Sequence, residues 1–189
     1  MITIVPYQKT WPNEFLTLGK ILRQTLGDLA QRIDHIGSTA VSGLAAKDII
    51  DIQITALSFD LAIELALNRA GYQRIEHITQ DHLPPGNAHQ MSDWMKWLFK
   101  PSSSQRPVNV HVRLSGRANQ RYPLLFRDYL RANPATAEAY GQVKCALAKY
   151  HGQDSDAYYD VKDPVCDIII GGAEVWATTT QWEAGPTDC

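Results

Sequence analysis

Cysteine is scarce in this sequence. Cys145, Cys166 and Cys189 are an odd set of three with no CxxC pair, which excludes a disulfide framework or a zinc knuckle and favours reduced thiols in a cytoplasmic protein. Cys145 and Cys166 fall in helical patterns and are expected as small buried side chains, with Cys189 mobile at the end. Long apolar runs are missing as well. No stretch is long enough to span a bilayer, and the first residues lack a basic segment followed by an apolar one, so neither a membrane span nor a secretory leader is expected. Charge of one sign is lacking too. The 18 Lys and Arg against 20 Asp and Glu give a net charge of -2, and no global basic field attracts nucleic acid.

What is present suits an ordinary globular protein, with 44% hydrophobic and 20% charged residues in a chain of 189. No repeat, low-complexity tract or linker divides it. The expected partition is a single α/β domain over residues 1–177 and a loosely ordered tail over 178–189. Ile2 to Val5 is β-prone, a candidate edge for pairing two copies as a homodimer. Pro12 opens a helix whose core stripe is Phe15, Leu18, Leu22, Leu26 and Leu29. Strands are predicted over Arg32 to Ile36, Ile49 to Thr55, Tyr72 to Ile78, Trp94 to Phe99 and Val108 to Leu114. A helix around Phe59 to Ala70 follows the second strand, and residues 79–92 read as a long loop. The C-terminal third is helical: Tyr122 to Leu130 carry one stripe, Tyr140, Val143, Leu147 and Tyr150 another, and Asp163-Pro164 looks like the start of a last helix.

Two strands alternate well enough to assign faces. Asp51, Gln53 and Thr55 share one side of the second strand, and Asn109, His111 and Arg113 share one side of the last. If the strands are neighbours, these polar residues line one cavity. The turn Gly37-Ser38 precedes Lys47 and Asp51. Glycine admits an anion close to the backbone, serine adds a hydroxyl, and Asp51 is a candidate ligand for Mg²⁺ beside a phosphate. A two-metal site needs two or three carboxylates, and the position two after Asp51 is Gln53. Gly37, Ser38, Lys47, Gln53, Asn109 and Arg113 are therefore candidate substrate or phosphate ligands, and Asp51, His111 and His35 candidate catalytic residues, with Asp51 the metal ligand. His77, Asp81, His82 and His89 match no standard zinc spacing and read as a lid or as solvated side chains. Arg113, Arg117, Arg121 and Arg127, with Lys96 and Lys100, read as an anion clamp or a salt-bridged face.

The run HIGSTAVSGLAAKDIIDI at 35–52 resembles the signature of the GrpB family, as do IVPYQKTWPNEF, VNVHV, LLFRDYLRANP and AYYDVKDP. The resemblance covers roughly residues 2–170. It implies a nucleotidyltransferase-like mixed β-sheet packed against helices, with Gly37-Ser38 and Asp51 in the places of that fold's glycine-serine turn and first metal carboxylate. Ser42 and Asp48 stand where the family often has proline, and Asn109 where it often has histidine. The implied function is an enzyme binding a phosphorylated nucleotide or similar anion at a degenerate Mg²⁺ site. The alternatives are a metal-independent enzyme using His/Asp acid–base chemistry in the same cavity, or a non-catalytic nucleotide-binding module.

Overall fold

Alternation in two strands organises the structure, a computed structural model that describes residues 1–86, 88–102 and 104–189. The side chains of Ala88 and His89 lie outside the described set, and with them the place of His89 in the loop cluster. Strand β2 (Ile50–Ala56) pairs in parallel with β5 (Val108–Leu114), so that Asp51 faces Asn109, Gln53 faces His111 and Thr55 faces Arg113. Strand β1 (Arg32–Ile36) adds antiparallel to β2, β4 (Trp97–Pro101) antiparallel to β5, and β3 (Tyr72–Arg74) antiparallel to β4. The sheet order is β1-β2-β5-β4-β3.

The two faces of the sheet differ in chemistry. On one, Ile50, Ile52, Ile54, Val108, Val110 and Val112 pack against helices α1 (Trp11–Leu26) and α2 (Leu61–Arg69) through Trp11, Phe15, Leu22, Leu26, Ile63 and Leu67. Each fully buried aliphatic side chain contributes about 2 kcal/mol by removal from water. Pro12 sits in the first turn of α1, and the Asp60 carboxylate caps α2 by accepting from the Ala62 N–H. On the other face lie α3 (Ala118–Ala132), α4 (Pro134–His151) and α5 (Ser155–Thr180). These helices bury apolar clusters of their own, including Leu130, Ala137, Tyr140 and Cys166. They therefore stand over the polar sheet face without having to seal it.

Several elements depart from the sequence reading. Ile2 to Val5 forms no strand: Val5 makes an isolated bridge to Ala46, and the Ile2 N–H donates to the Gly152 carbonyl. The edge expected to pair two copies is absent. Strand β3 stops at Arg74, and Trp94 ends a short 3-10 segment. Asp163-Pro164 lies inside α5, because Asp154 caps that helix through the N–H groups of Asp156 and Ala157. Cys145 is exposed. Among the described residues no helix is long and apolar enough to cross a membrane.

The segment expected to lie loose, 178–189, continues α5 to Thr180, and its end then docks on the edge of β1. The Ile33 N–H donates to Thr187 Oγ1, the His35 N–H to the Asp188 carboxylate, and the Cys189 N–H to the Ile33 carbonyl. Backbone groups of an edge strand need partners, and this segment supplies them. Cys189 is accordingly packed against the core. Asp188 also pairs with the Arg127 guanidinium at 2.7 Å, and Arg127 is buried. Asp188→Ala is expected to destabilise the protein by about 1–3 kcal/mol, since a buried N–H and a buried charge each lose an acceptor. A lowered urea midpoint at unchanged slope checks this.

Candidate functional site

A cavity of about 690 Å³ separates the polar sheet face from α3, α4 and α5. Gly37, Ser38, Lys47, Asp51, Asn109, His111 and Arg113 all line it. The turn after β1 brings Gly37 against β2. Its φ of 72° disfavours any side chain, and a Cβ there would lie 2.5 Å from Asp51 Oδ2. The approach of the turn to the carboxylate therefore requires glycine.

Asp51 is half-buried. Its Oδ1 accepts from Asn109 Nδ2 at 2.8 Å, and His111 Nε2 lies 3.6 Å away. Burial pushes the Asp51 pKa up, but the His111 and Asn109 side chains outweigh it and hold the carboxyl below its usual range. Burial, then the Arg113 charge, lowers His111 to about 4. His111 is therefore neutral near pH 7, and it supports Asp51 as an N–H dipole rather than as a cation.

Three expected site residues serve other purposes. His35 alternates onto the aliphatic face, stacked on Phe15 with ring centroids 4.6 Å apart, its Nε2 3.0 Å from Thr39 Oγ1. It is 4% exposed, and burial lowers its pKa to about 4. Gln53 is fully buried, its Nε2 donating to the Gln120 carbonyl and its Oε1 accepting from Arg113 Nη1 at 2.8 Å. Arg113 in turn grips Asp81 through two hydrogen bonds of 2.8 Å. Neither Gln53 nor Arg113 has its polar group free for a substrate.

Asp81, read from sequence as part of a loose loop, is a hub. Besides Arg113 it accepts from Lys96 Nζ at 2.6 Å and Asn119 Nδ2 at 3.0 Å. Burial raises its pKa, yet Arg113 and Lys96 hold it far below the usual carboxylate range. The expected arginine clamp is dispersed: Arg117 pairs with Asp93, Arg121 with Glu174, and Arg127 is buried against Asp128 and Asp188. His82 Nε2 donates to the Asp167 carboxylate on α5 at 2.8 Å.

Sequence reasoning missed Lys144. This α4 lysine is 3% exposed, and its Nζ hydrogen-bonds Ser38 Oγ at 2.8 Å and the Ala45 carbonyl, 4.6 Å above the Tyr140 ring. Its hydrogen bonds go to uncharged oxygens. Burial, and next the Lys162 charge, bring its pKa down to about 7. A signal existed: residue 144 falls at helical spacing between the inward Tyr140 and Leu147, whereas Tyr150, expected inward, is 70% exposed. Lys47 lies nearby, donating to the Tyr159 hydroxyl at 2.8 Å. In all, the cavity is lined by Lys47, Lys96, Lys100, Arg113, Lys144 and Lys162 against the carboxylates of Asp51, Asp81 and Asp163.

This donor set does not fit a two-metal centre. Asp81 is taken by Arg113 and Lys96, and Asp163 pairs with Lys162 at 3.0 Å. Among the described residues no group of three or more His, Cys, Asp or Glu is placed to hold a metal ion. Asp51 alone remains, facing Asn109 where a further acid would serve.

Residues 1–171 match the family model described as GrpB protein. The crystal structure of conserved protein GrpB from Enterococcus faecalis has a TM-score of 0.75 to this chain at 28% identity, covering 92% of this chain and 99% of that one. A cytoplasmic RNA terminal U-transferase shares the fold at a TM-score of 0.51 and 15% identity, over 80% of this chain and 44% of that one. The fold is thus a nucleotidyltransferase-like mixed α/β arrangement. In sequence, the chain is 38% identical over 193 residues to the dephospho-CoA kinases of Mycobacterium bovis and Mycobacterium tuberculosis. The match covers 95% of this chain and 47% of theirs, so the chain spans about half the length of those relatives.

Two expectations follow from the geometry. His35 and His111 are held near 4 in the native state against 6.5 for an unperturbed histidine. From about one pH unit above 6.5, both histidines are neutral in both states and their contribution to stability is full. As pH falls toward 4, the unfolded chain takes up protons that the native state refuses, and stability drops by up to about 3 kcal/mol per histidine. Asp81, with its depressed pKa, withdraws stability only below its unperturbed value of 3.8. Urea unfolding across pH 7 to 4 measures the slope, which His35→Phe should make shallower. Separately, Gln53→Asp sets a carboxylate against Arg113, so Mg²⁺ affinity is expected to stay unchanged in calorimetric titration. A tenfold gain would show position 53 able to serve a metal.

Proposed function

The chain belongs to the GrpB family, and on that premise we propose that it is a nucleotidyltransferase-like enzyme whose cavity binds the phosphates of a nucleotide. One observation carries this reading: the buried amino group of Lys144 hydrogen-bonds only neutral oxygens on the wall of a cavity rich in cations. Desolvating a charge costs several kcal/mol unless an opposite charge offsets it. A phosphate beside Ser38 supplies that charge. Gly37 lets it approach the backbone, the Ser38 hydroxyl hydrogen-bonds it, and Lys144 and Lys47 neutralise it. No step is routed through a metal, because among the described residues Asp51 is the one lining carboxylate not paired with a lysine or arginine.

A second reading rests on Asp51 and His111, 3.6 Å apart on the cavity floor. Here Asp51 is the base, and the neutral His111, its Nδ1 3.5 Å from Arg113 Nη2, turns its N–H toward that carboxylate. In this reading the cavity performs metal-independent proton transfer on an acidic small molecule. Dephospho-CoA kinase activity is not carried onto this chain, which spans about half of those proteins and contains no G-x-x-x-x-G-K-[ST] run.

Calorimetric titration of the protein with ATP, GTP, CTP and UTP, with and without Mg²⁺, tests the proposal. At least one is expected to bind, and Lys144→Met to weaken it by at least about tenfold, or 1.4 kcal/mol. No heat from any of the four with the folded parent overturns the reading.

A further inference from the structure

We propose that Ser38 and Lys144 form a nucleophile and base pair, with Ser38 taking up a phosphoryl-type group in a covalent step and Lys144 receiving its proton. The substrate class rests on the phosphate-binding reading above; the reactivity of the serine does not.

The geometry sets this lysine apart from its neighbours. Lys96 is locked on Asp81 and Lys162 on Asp163; burial lowers the pKa of both, outweighing the Asp81 charge at Lys96, whereas the groups around Lys162, Cys166 and Asp163 among them, outweigh it there. Lys47 donates to a phenol, and its charge lies against the rings of Tyr158 and Tyr159. Lys144 has the Ser38 hydroxyl at 2.8 Å, a distance suited to proton transfer, and the Ala45 carbonyl as a second anchor that fixes the direction of its Nζ. The neighbouring hydroxyl, Thr39, is turned away and held by His35. Ser38 Oγ is thus the hydroxyl of this turn offered to a base, and Ser38 lines the cavity.

The surroundings favour the neutral amine in the absence of an anion. Lys162 and Cys166 face Lys144 from α5, Tyr140 from its own helix, and Asp51 from β2, and none of them hydrogen-bonds its Nζ. Burial and the Lys162 charge leave Lys144 near 7. At that value a large share of the amine is unprotonated at neutral pH, with a lone pair to accept from Ser38 Oγ–H. This is the logic of a serine activated by a lysine rather than by histidine.

The Ser38 Oγ–H proton moves to Lys144 Nζ as Oγ forms a bond to phosphorus of a phosphoric anhydride. The bridging P–O bond breaks, and its electron pair departs with the phosphate or pyrophosphate leaving group. Lys144, now an ammonium, and Lys47 stand beside the negative charge that develops on the phosphoryl oxygens.

A fluorophosphonate tests the pair without requiring a nucleotide, since fluoride replaces the anhydride as leaving group. The full chain is treated with the probe from about pH 6 to 9, the adduct weighed by intact mass spectrometry, and the modified residue mapped on peptides. The expected result is one adduct on Ser38, forming at a rate that rises as a group near pH 7 loses its proton, and slowed about 100-fold in Lys144→Met. Lys144→Arg keeps the charge and hydrogen-bonding capacity but cannot act as a base, so a merely structural lysine would be rescued and this one is not. No Ser38 adduct on the folded parent, or labelling indifferent to Lys144→Met and Lys144→Arg, overturns the proposal. Nucleotide binding without the adduct removes the dyad and leaves the binding reading, whereas the adduct without nucleotide binding does the reverse.

Discussion

The parallel pairing of β2 with β5 governs everything that surrounds it. Side chains alternate with a period of two, so a fixed register decides at once which residues meet α1 and α2 and which meet the C-terminal helices. Ile50, Ile52 and Ile54 opposite Val108, Val110 and Val112 specify one face by burial alone. A slip of one residue would drive Asp51, Gln53, Asn109, His111 and Arg113 into an aliphatic core. The cost of burying those groups unpaired makes the register close to obligatory. The polar cavity is therefore a consequence of how the core is built.

That polar face is held open by its own bonds. Arg113 spans from Gln53 to Asp81, and Asp81 gathers Lys96 and Asn119 from neighbouring elements. The result ties the loop after β3 to the sheet floor. It also explains why Gln53 stands where a second acid would complete a metal pair: its amide oxygen accepts one Arg113 N–H while Asp81 accepts two others. Position 53 serves the internal network, and the carboxylate left facing the cavity is Asp51.

Much of this is legible in the sequence, and the illegible parts share a physical character. β1 and β5 are recovered at their observed limits because Gly37 ends the first, and the second alternates strictly from the residue after Pro107. The convergence of Ser38, Asp51 and His111 follows once β2 and β5 are taken as neighbours. Period alone failed for His35, where a polar residue occupies an aliphatic face because Phe15 offers a stacking partner and Thr39 a hydrogen bond. It failed for Lys144 because a lysine within an apolar helical stripe reads as solvated until a cavity is seen beside it. The roles of Asp81 and Asp188 were missed for another reason. Each acts through partners far off in sequence, Arg113 and Arg127, and no local pattern announces a pairing of that range. The docked C-terminal segment belongs to the same class, since an unsatisfied strand edge is a property of the folded sheet.

Charge decides what the cavity is suited to hold. Pairing Lys96 and Arg113 with Asp81, and Lys162 with Asp163, leaves Lys144, Lys47 and Lys100 against Asp51. A divalent cation entering there would face an excess of positive charge with one carboxylate and neutral donors to hold it. An anion entering at Ser38 relieves the desolvated Lys144 and meets Asp51 only across the Gly37 turn. Proteins with nucleotidyltransferase-like folds that keep several acids offset phosphate charge with metal ions. Here Lys144, Lys47 and Lys100 are the lining cations that remain to meet an anion. That difference has a chemical corollary: a metal ion cannot accept a proton, whereas an amine held near neutrality can. On the proposal for Ser38 and Lys144, lysines in place of acids equip the same turn for proton transfer, and its reactivity follows pH.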